Sequence, residues 1–313
     1  MQDSRAGTSD GEFSRALLAP RYWGKWLSVG VLGLINLLPV RLIDALGERI
    51  GKLVYRHYYK HRWQAAQNVA WCFPDWSEDR RDALVRDHCV AYVQTLMLSP
   101  VLWWGSRRGL LSRVDYRGIE HLERARESGP VIVLACHSVA LDFGAAAIAG
   151  RESAVSMYQP FKNAFDNWLI HRSRRRFGNT LVRRGDSLRN LVRLTRNGVP
   201  CYHMPDEDLG REGALFVPFF GRPKATLTGM SKMTRATRAQ VVPCFPYYIG
   251  RGRFRLEFFP PLDHYPLDDE YENCLRINRE IEKLIGVNPA HYLWKLRIFK
   301  TQEHSDENPY HQR

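Results

Sequence analysis

An α/β fold, with a central mixed sheet and flanking helices behind an N-terminal membrane-associating helical segment, is predicted for this chain by three observations. From residue 131 onward, apolar runs of strand length alternate with stretches of helical periodicity. Two β-rich runs, 241–249 and 253–259, flank Gly250-Arg251-Gly252 and read as a hairpin, which adds an antiparallel strand. Residues 26–40 carry no charge and lie between basic and aromatic flanks. With 313 residues, 44% of them hydrophobic, the chain can bury a substantial core in one large domain. The expected organisation is a polar tail at 1–20, a membrane-anchoring helical region at 21–105, a catalytic domain at 106–303 and a flexible tail at 304–313.

The uncharged run 26–40 is shorter than the roughly twenty apolar residues needed to span a bilayer core. Arg21, Tyr22, Trp23 and Lys25 precede it and Arg41 follows, the kind of anchors that favour an interface. Spanning and interfacial attachment both stay open, and the alternative is a buried soluble helix. The first twenty residues lack the basic-then-apolar order of a secretory signal, so the catalytic domain is expected on the cytoplasmic side.

Further along, Ser77-Glu78-Asp79-Arg80 starts a helix whose apolar positions Leu84, Val85, Cys89, Tyr92, Val93 and Leu96 keep helical spacing until Pro100. The reading then gives a strand at 114–116, a helix at 119–127, a break at Gly129-Pro130 and a buried strand at 131–135. Strands follow at 154–158, 181–182 and 201–204, with helices at 163–177 and 187–197 between them. A helix at 226–237, the hairpin, and helices at 267–285 and 289–296 complete the pattern, and the polar end of the chain reads as disordered.

Chemistry concentrates at His137-Ser138-Val139-Ala140-Leu141-Asp142, directly after the apolar run Val131-Ile132-Val133-Leu134-Ala135. An i,i+5 pair points to different faces of a regular helix, so the two side chains meet only if His137 sits in the turn and Asp142 in the first helical turn. Asp142 would then orient the imidazole, and His137 would take a proton from a substrate hydroxyl as general base. Helix capping is the bland alternative. A covalent intermediate through Cys136 or Ser138 is disfavoured, because neighbouring side chains on an extended segment point apart.

A second block, Met204-Pro205-Asp206-Glu207-Asp208-Leu209-Gly210-Arg211-Glu212-Gly213, is followed by Phe216-Val217-Pro218-Phe219-Phe220-Gly221 and Ala225-Thr226-Leu227-Thr228-Gly229. With Tyr158-Gln159-Pro160, Tyr292-Leu293-Trp294 and Phe299-Lys300, these blocks make the chain resemble the late acyltransferases of lipid A biosynthesis, the lauroyl and myristoyl transferases of the lysophospholipid acyltransferase superfamily. Many relatives carry arginine where Gln159 stands, and histidine and a second arginine at Leu296 and Ile298, departures that bear on substrate detail. The resemblance implies direct transfer of a fatty acyl chain from acyl carrier protein to a hydroxyl of a lipid A precursor, at the bacterial inner membrane. It implies His137 and Asp142 as the catalytic pair and a part for Asp206, Asp208 and Arg211 in shaping the site or acceptor pocket. Another glycolipid or a glycerophospholipid is the alternative acceptor.

Net charge of +13 points to anionic partners. Arginines concentrate between 172 and 196, Arg174 and Arg175 among them, and suit an anionic glycolipid or the acidic carrier protein. A basic, non-enzymatic nucleic-acid or membrane-binding protein is the reading from a different class, but no nucleic-acid module is recognisable and no nucleic-acid partner is expected. Six cysteines without a Cys-x-x-Cys pair read as reduced, packed thiols. His57 and His61 lack an intervening glutamate and a third ligand, and no Gly-rich phosphate loop occurs, so neither a metal nor a cofactor is expected.

Overall fold

The computed structural model describes residues 11–185 and 188–310, with residues 60 and 61 in backbone only. The first ten residues of the polar tail expected at 1–20, the start of the helix expected at 187 and the last three residues of the C-terminal tail lie outside the described residues. Two short 3-10 turns, Arg15–Leu18 and Pro20–Tyr22, lead into α1 (Trp23–Ile35), α2 (Val40–His57), α3 (Tyr59–Cys72), α4 (Glu78–Met97), α5 (Ser99–Trp104) and α6 (Arg107–Leu111). Ser77 caps α4 by accepting the amide of Arg80, and Glu78 and Asp79 in its first turn complement the helix dipole. Helix α2 lies closely on α4: a Cβ at Gly51 would come within 2.5 Å of the Val90 Cα, closer than any side chain permits.

The alternating part then runs β1 (Val114–Arg117), α7 (Ile119–Ser128), β2 (Val131–Leu134), α8 (Leu141–Arg151), β3 (Ala154–Tyr158), α9 (Ala164–Arg175), β4 (Asn179–Arg183), α10 (Arg189–Arg196) and β5 (Cys201–His203). It ends in β6 (Ala214–Phe219), β7 (Arg222–Leu227), α11 (Gly229–Thr237), β8 (Gln240–Tyr248), β9 (Phe254–Phe258) and α12 (Glu270–Val287). Seven strands form one sheet in the order β1-β9-β8-β2-β5-β3-β4. The five from β8 to β4 are parallel, while β9 pairs antiparallel with β8 and parallel with β1, so the sheet is mixed as expected. Every residue of central β2 is buried, which is why it reads as a continuous apolar run. One face of the sheet, with Ile132, Val155 and Val241, packs with Ile277 and Ile281 of α12; the other, with Val131 and Val133, packs with Ala145, Ala147, Ile148 and Ala149 of α8 and Leu122 of α7. Gly144 sits where a Cβ would be 2.8 Å from Pro246, so the small-residue run after Phe143 is what lets α8 lie close on the sheet.

Several expectations change. A helix was expected from 226, but β7 continues to Leu227 and pairs with β6 in a separate two-stranded sheet. Its two-residue turn, Phe220-Gly221, has positive φ at both positions, 49° and 75°, as a tight hairpin turn requires. The helix expected at 289–296 is only a 3-10 turn, Pro289–His291, because the following backbone pairs elsewhere: the amide of Leu293 donates to the carbonyl of His137, and Val139 donates to the carbonyl of His291. The C-terminal end is docked as far as Tyr310, whose buried ring packs on Trp71 and whose hydroxyl donates to Asn68 and accepts the amide of Phe299. All six cysteines are buried and unpaired, in keeping with their spacing.

Among the described residues, no helix is long and apolar enough to cross a membrane. The N-terminal segment is part of the folded body: Leu17, Tyr22 and Val29 join a cluster with Leu102, Phe143 and Phe165, and Trp26 meets Phe165 edge-on at 5.0 Å. The other face of α1 is bare. Trp23, Leu27, Val31 and Leu34 recur at helical spacing with 64%, 70%, 45% and 67% exposure, and Leu37, Leu38 and Leu42 extend the apolar surface onto the start of α2.

Candidate active site

After β2 the chain turns at Cys136 and enters α8 at Leu141, which places His137 at the carboxyl end of a central parallel strand. Sites in open α/β sheets collect there. Strand β5 pairs beside β2 and delivers Asp206 to the same end. Asp206 is fully buried and holds His137 at two points, accepting the backbone amide of His137 on Oδ2 at 2.9 Å and facing Nδ1 with Oδ1 at 2.7 Å. Burial raises the pKa of this carboxyl, but the charge and hydrogen bonds of His137 outweigh it, with help from Lys224, and the net shift is downward. An ionised carboxylate can only accept, so Nδ1 carries the proton and Nε2 is left to face the cleft. For His137 burial pulls downward, yet Asp206 and then Glu207 overcome it, and its pKa lies above the ordinary histidine value.

Asp142, the carboxylate expected to orient the imidazole, does something else. It lies in the first turn of α8 and accepts from Nε of Arg174 on α9 at 2.7 Å. The partner of His137 is thus 69 residues away in sequence, on the neighbouring strand end, rather than one turn along the same segment. In the six-residue connection 135–140, His137 is turned back toward the end of β5, while Asp142 at the helix start faces α9.

His137, Asp142 and Arg174 all line one cavity of about 650 Å³, together with Glu207, Arg184 and Lys295. Glu207 Oε1 lies 3.9 Å from Nε2 of His137, and its other oxygen accepts from Arg184 at 3.1 Å. The apolar part of the lining comes from Leu96, Leu102, Trp103, Phe143, Met157 and Ile170. A cavity lined by both charged and apolar side chains can accept a fatty chain and a polar head group together.

The remaining expected residues fall outside this cavity. Asp208 is buried and accepts both the amide and the hydroxyl of Thr301 at 2.7 Å, plus the amide of Gly210 at 3.0 Å. Arg211 donates to the carbonyls of Gln302 and Glu303. Both therefore fasten the 206–213 loop to the C-terminal segment instead of lining the cleft. Arg175 is exposed in a shallow depression with Thr180 and Arg183. Arg172 and Arg176 donate to the carbonyls of Trp103, Leu102 and Gly105, so these two arginines of the cluster clamp α9 to α5.

Lys224 was not singled out by the sequence, although it stands between the recognised runs 216–221 and 225–229. It is fully buried on β7, and burial lowers its pKa against the opposing charges of Asp206 and Asp208. Its ammonium supplies the positive charge beneath a buried carboxylate that would otherwise be costly.

Residues 11–301 match the family described as bacterial lipid A biosynthesis acyltransferase. The chain belongs to that family. It is accordingly an acyltransferase. It is similar to the lipid A biosynthesis acyltransferase of Haemophilus influenzae (32% identity over 302 residues, 95% of this chain and 94% of that one) and to the lipid A biosynthesis myristoyltransferase of Escherichia coli K12 (32%, 96% and 94%). Against the lauroyltransferase of the same organism it is 32% identical over 93% of this chain and 96% of the relative. A solved structure, the 1-acyl-sn-glycerophosphate acyltransferase PlsC of Thermotoga maritima, overlies 81% of the acyltransferase and 99% of its own chain with a TM-score of 0.37 and 16% identity.

Proposed function

We propose that this acyltransferase is membrane-bound and moves a fatty acyl chain from acyl carrier protein to a hydroxyl of a lipid A precursor, with His137 as general base. The observation that carries the reading is the Asp206–His137 pair, whose imidazole lines a largely apolar cavity. Nε2 takes the proton of the acceptor hydroxyl as its oxygen attacks the thioester carbonyl. A C–O bond forms, the C–S bond breaks, and the carrier thiolate leaves and recovers the proton from the imidazolium, which Asp206 stabilises meanwhile. Asp142 acts at one remove, by holding Arg174 in the wall of the cleft.

Membrane attachment is proposed to be interfacial, through the apolar face formed by Trp23, Leu27, Val31, Leu34 and Leu37. The cleft is proposed to face the cytoplasmic side of the inner membrane, where an acidic carrier protein would meet a basic enzyme. The test is reconstitution: purified protein in mixed micelles with acyl carrier protein loaded with matched chains and a lipid A precursor, followed by mass spectrometry of the glycolipid. A mass increase of one acyl group that vanishes in His137→Ala supports the proposal; an unmodified glycolipid, or full turnover by that variant, defeats it.

A further inference from the structure

The cations around the cleft are balanced unequally. Arg174 is paired with Asp142 and Arg184 with Glu207, and Lys162 is exposed at the rim. Lys295 is half-buried in the wall, and among the described residues no carboxylate pairs with it. Its Nζ donates to the hydroxyl of Tyr92 at 2.6 Å and lies 4.0 Å above that ring. A phenol oxygen that accepts from an ammonium keeps its own proton to donate. Three residues along α4, on the same helix face, Thr95 also lines the cavity. Thr95 is only 4% exposed and its hydroxyl has no hydrogen-bond partner. A buried hydroxyl left unpaired costs free energy, and a ligand oxygen in the cleft removes that cost.

One ammonium without a carboxylate and two hydroxyls whose protons have no acceptor among the described residues therefore lie along the α4 side of the cleft. Several oxygens on one anionic centre match this set, and lysine suits phosphate as a point charge. We propose that Lys295, Tyr92 and Thr95 form a phosphate-binding subsite in the α4 wall of the cleft. The subsite rests on the acyl-transfer reading for its ligand, because both substrates of that reaction carry phosphate: the acceptor as a sugar phosphomonoester, the donor as the phosphodiester of its pantetheine arm.

Binding measured without turnover separates the subsite from the reaction. His137→Ala protein is titrated with two ligand pairs, a phosphorylated acylated glucosamine disaccharide against its dephosphorylated form, and an acyl-phosphopantetheine against the same thioester on N-acetylcysteamine. In one pair, loss of phosphate should weaken binding by about ten- to a hundredfold, the range for a hydrogen bond to a charged group. That pair identifies the source. Adding Lys295→Met should erase the discrimination, Lys295→Arg should keep most of it, and Thr95→Val, which preserves side-chain shape, should reduce it several-fold. Indifference to phosphate in both pairs, or discrimination unchanged by Lys295→Met and Thr95→Val, overturns the subsite. Phosphate discrimination that follows these substitutions, where protein with His137 intact transfers no acyl group, would instead overturn the reaction and leave the subsite standing.

Discussion

Asp206 and Asp142 give opposite expectations for the same chemical change. In Asp206→Asn the buried site keeps its volume, but the amide cannot serve both of its contacts as the carboxylate does. If its oxygen accepts the amide of His137, its NH₂ faces Nδ1, which must then give up its proton to Nε2. The base is left in the wrong tautomer. Such a loss lowers the rate by roughly 10²–10⁴-fold, or about 3–5 kcal/mol of transition-state stabilisation at 1.36 kcal/mol per decade. The change also strips a counter-charge from buried Lys224. Breaking one side of a buried pair costs about 3–5 kcal/mol of stability, so turnover must be normalised to folded protein. Asp142→Asn leaves the Asp206–His137 pair untouched and unpairs Arg174, in a bridge whose carboxylate side chain is 33% exposed. Solvent screening limits that loss to about 1 kcal/mol, and the rate should fall by roughly tenfold or less by the same conversion. The assay is initial-rate acyl transfer by both variants in mixed micelles, with thermal melts and circular dichroism alongside. Near-normal turnover by Asp206→Asn, with Asp142→Asn silenced by several decades, would refute the assignment of the orienting carboxylate.

Glu207→Gln removes one of the two charges that raise the pKa of His137, so the acid limb of kcat/KM should move to lower pH; a pH–rate profile with an unmoved or higher limb counts against this. The same sign governs stability: a histidine that titrates higher in the fold contributes stability below its unfolded value near 6.5, lost as pH rises through the folded value. Leu27→Asp with Leu34→Asp should release the protein from anionic vesicles after a salt wash, since each exposed leucine offers about 2 kcal/mol of burial; unchanged cosedimentation would move the attachment face elsewhere. Asp208→Ala leaves Thr301 and Gly210 without their acceptor and should lower the midpoint of urea unfolding by the equivalent of about 2–4 kcal/mol; a midpoint shift under half a kcal/mol would mean that the loop is held otherwise.

How far the sequence carried this reading depends on the reach of each contact. Strands such as Val131–Leu134 are legible because burial on both faces demands an unbroken apolar run, and α4 because its cap and spacing are local. The hairpin of Ala214–Phe219 and Arg222–Leu227 was obscured by Thr226 and Thr228 beside Gly229, which resemble a helix start, although Phe220-Gly221 held the turn. His137 was found from its place after a buried strand. Its partner was not, because spacing favours Asp142 and only the side-by-side pairing of β2 with β5 brings Asp206 within 2.7 Å. Arg174 and Arg176 read as part of an anion-binding cluster for the same reason: their acceptors, Asp142 and the carbonyls of Leu102 and Gly105, are tertiary.

The charges near His137 fall into two tiers with different duties. Beneath the imidazole, Asp206 and Lys224 are completely buried, so neither can exchange partners with solvent or substrate. Facing the cleft, the Asp142–Arg174 and Glu207–Arg184 pairs are partly exposed and can be competed for by an incoming anion. The buried tier fixes tautomer and ring orientation, which must be the same for every substrate, whereas the exposed tier meets head groups that differ between substrates. Substitutions in the lower tier should therefore depress kcat alike for all acyl donors and acceptors. Those in the upper tier should alter KM unequally, and a uniform KM effect across phosphorylated and dephosphorylated acceptors would break the division.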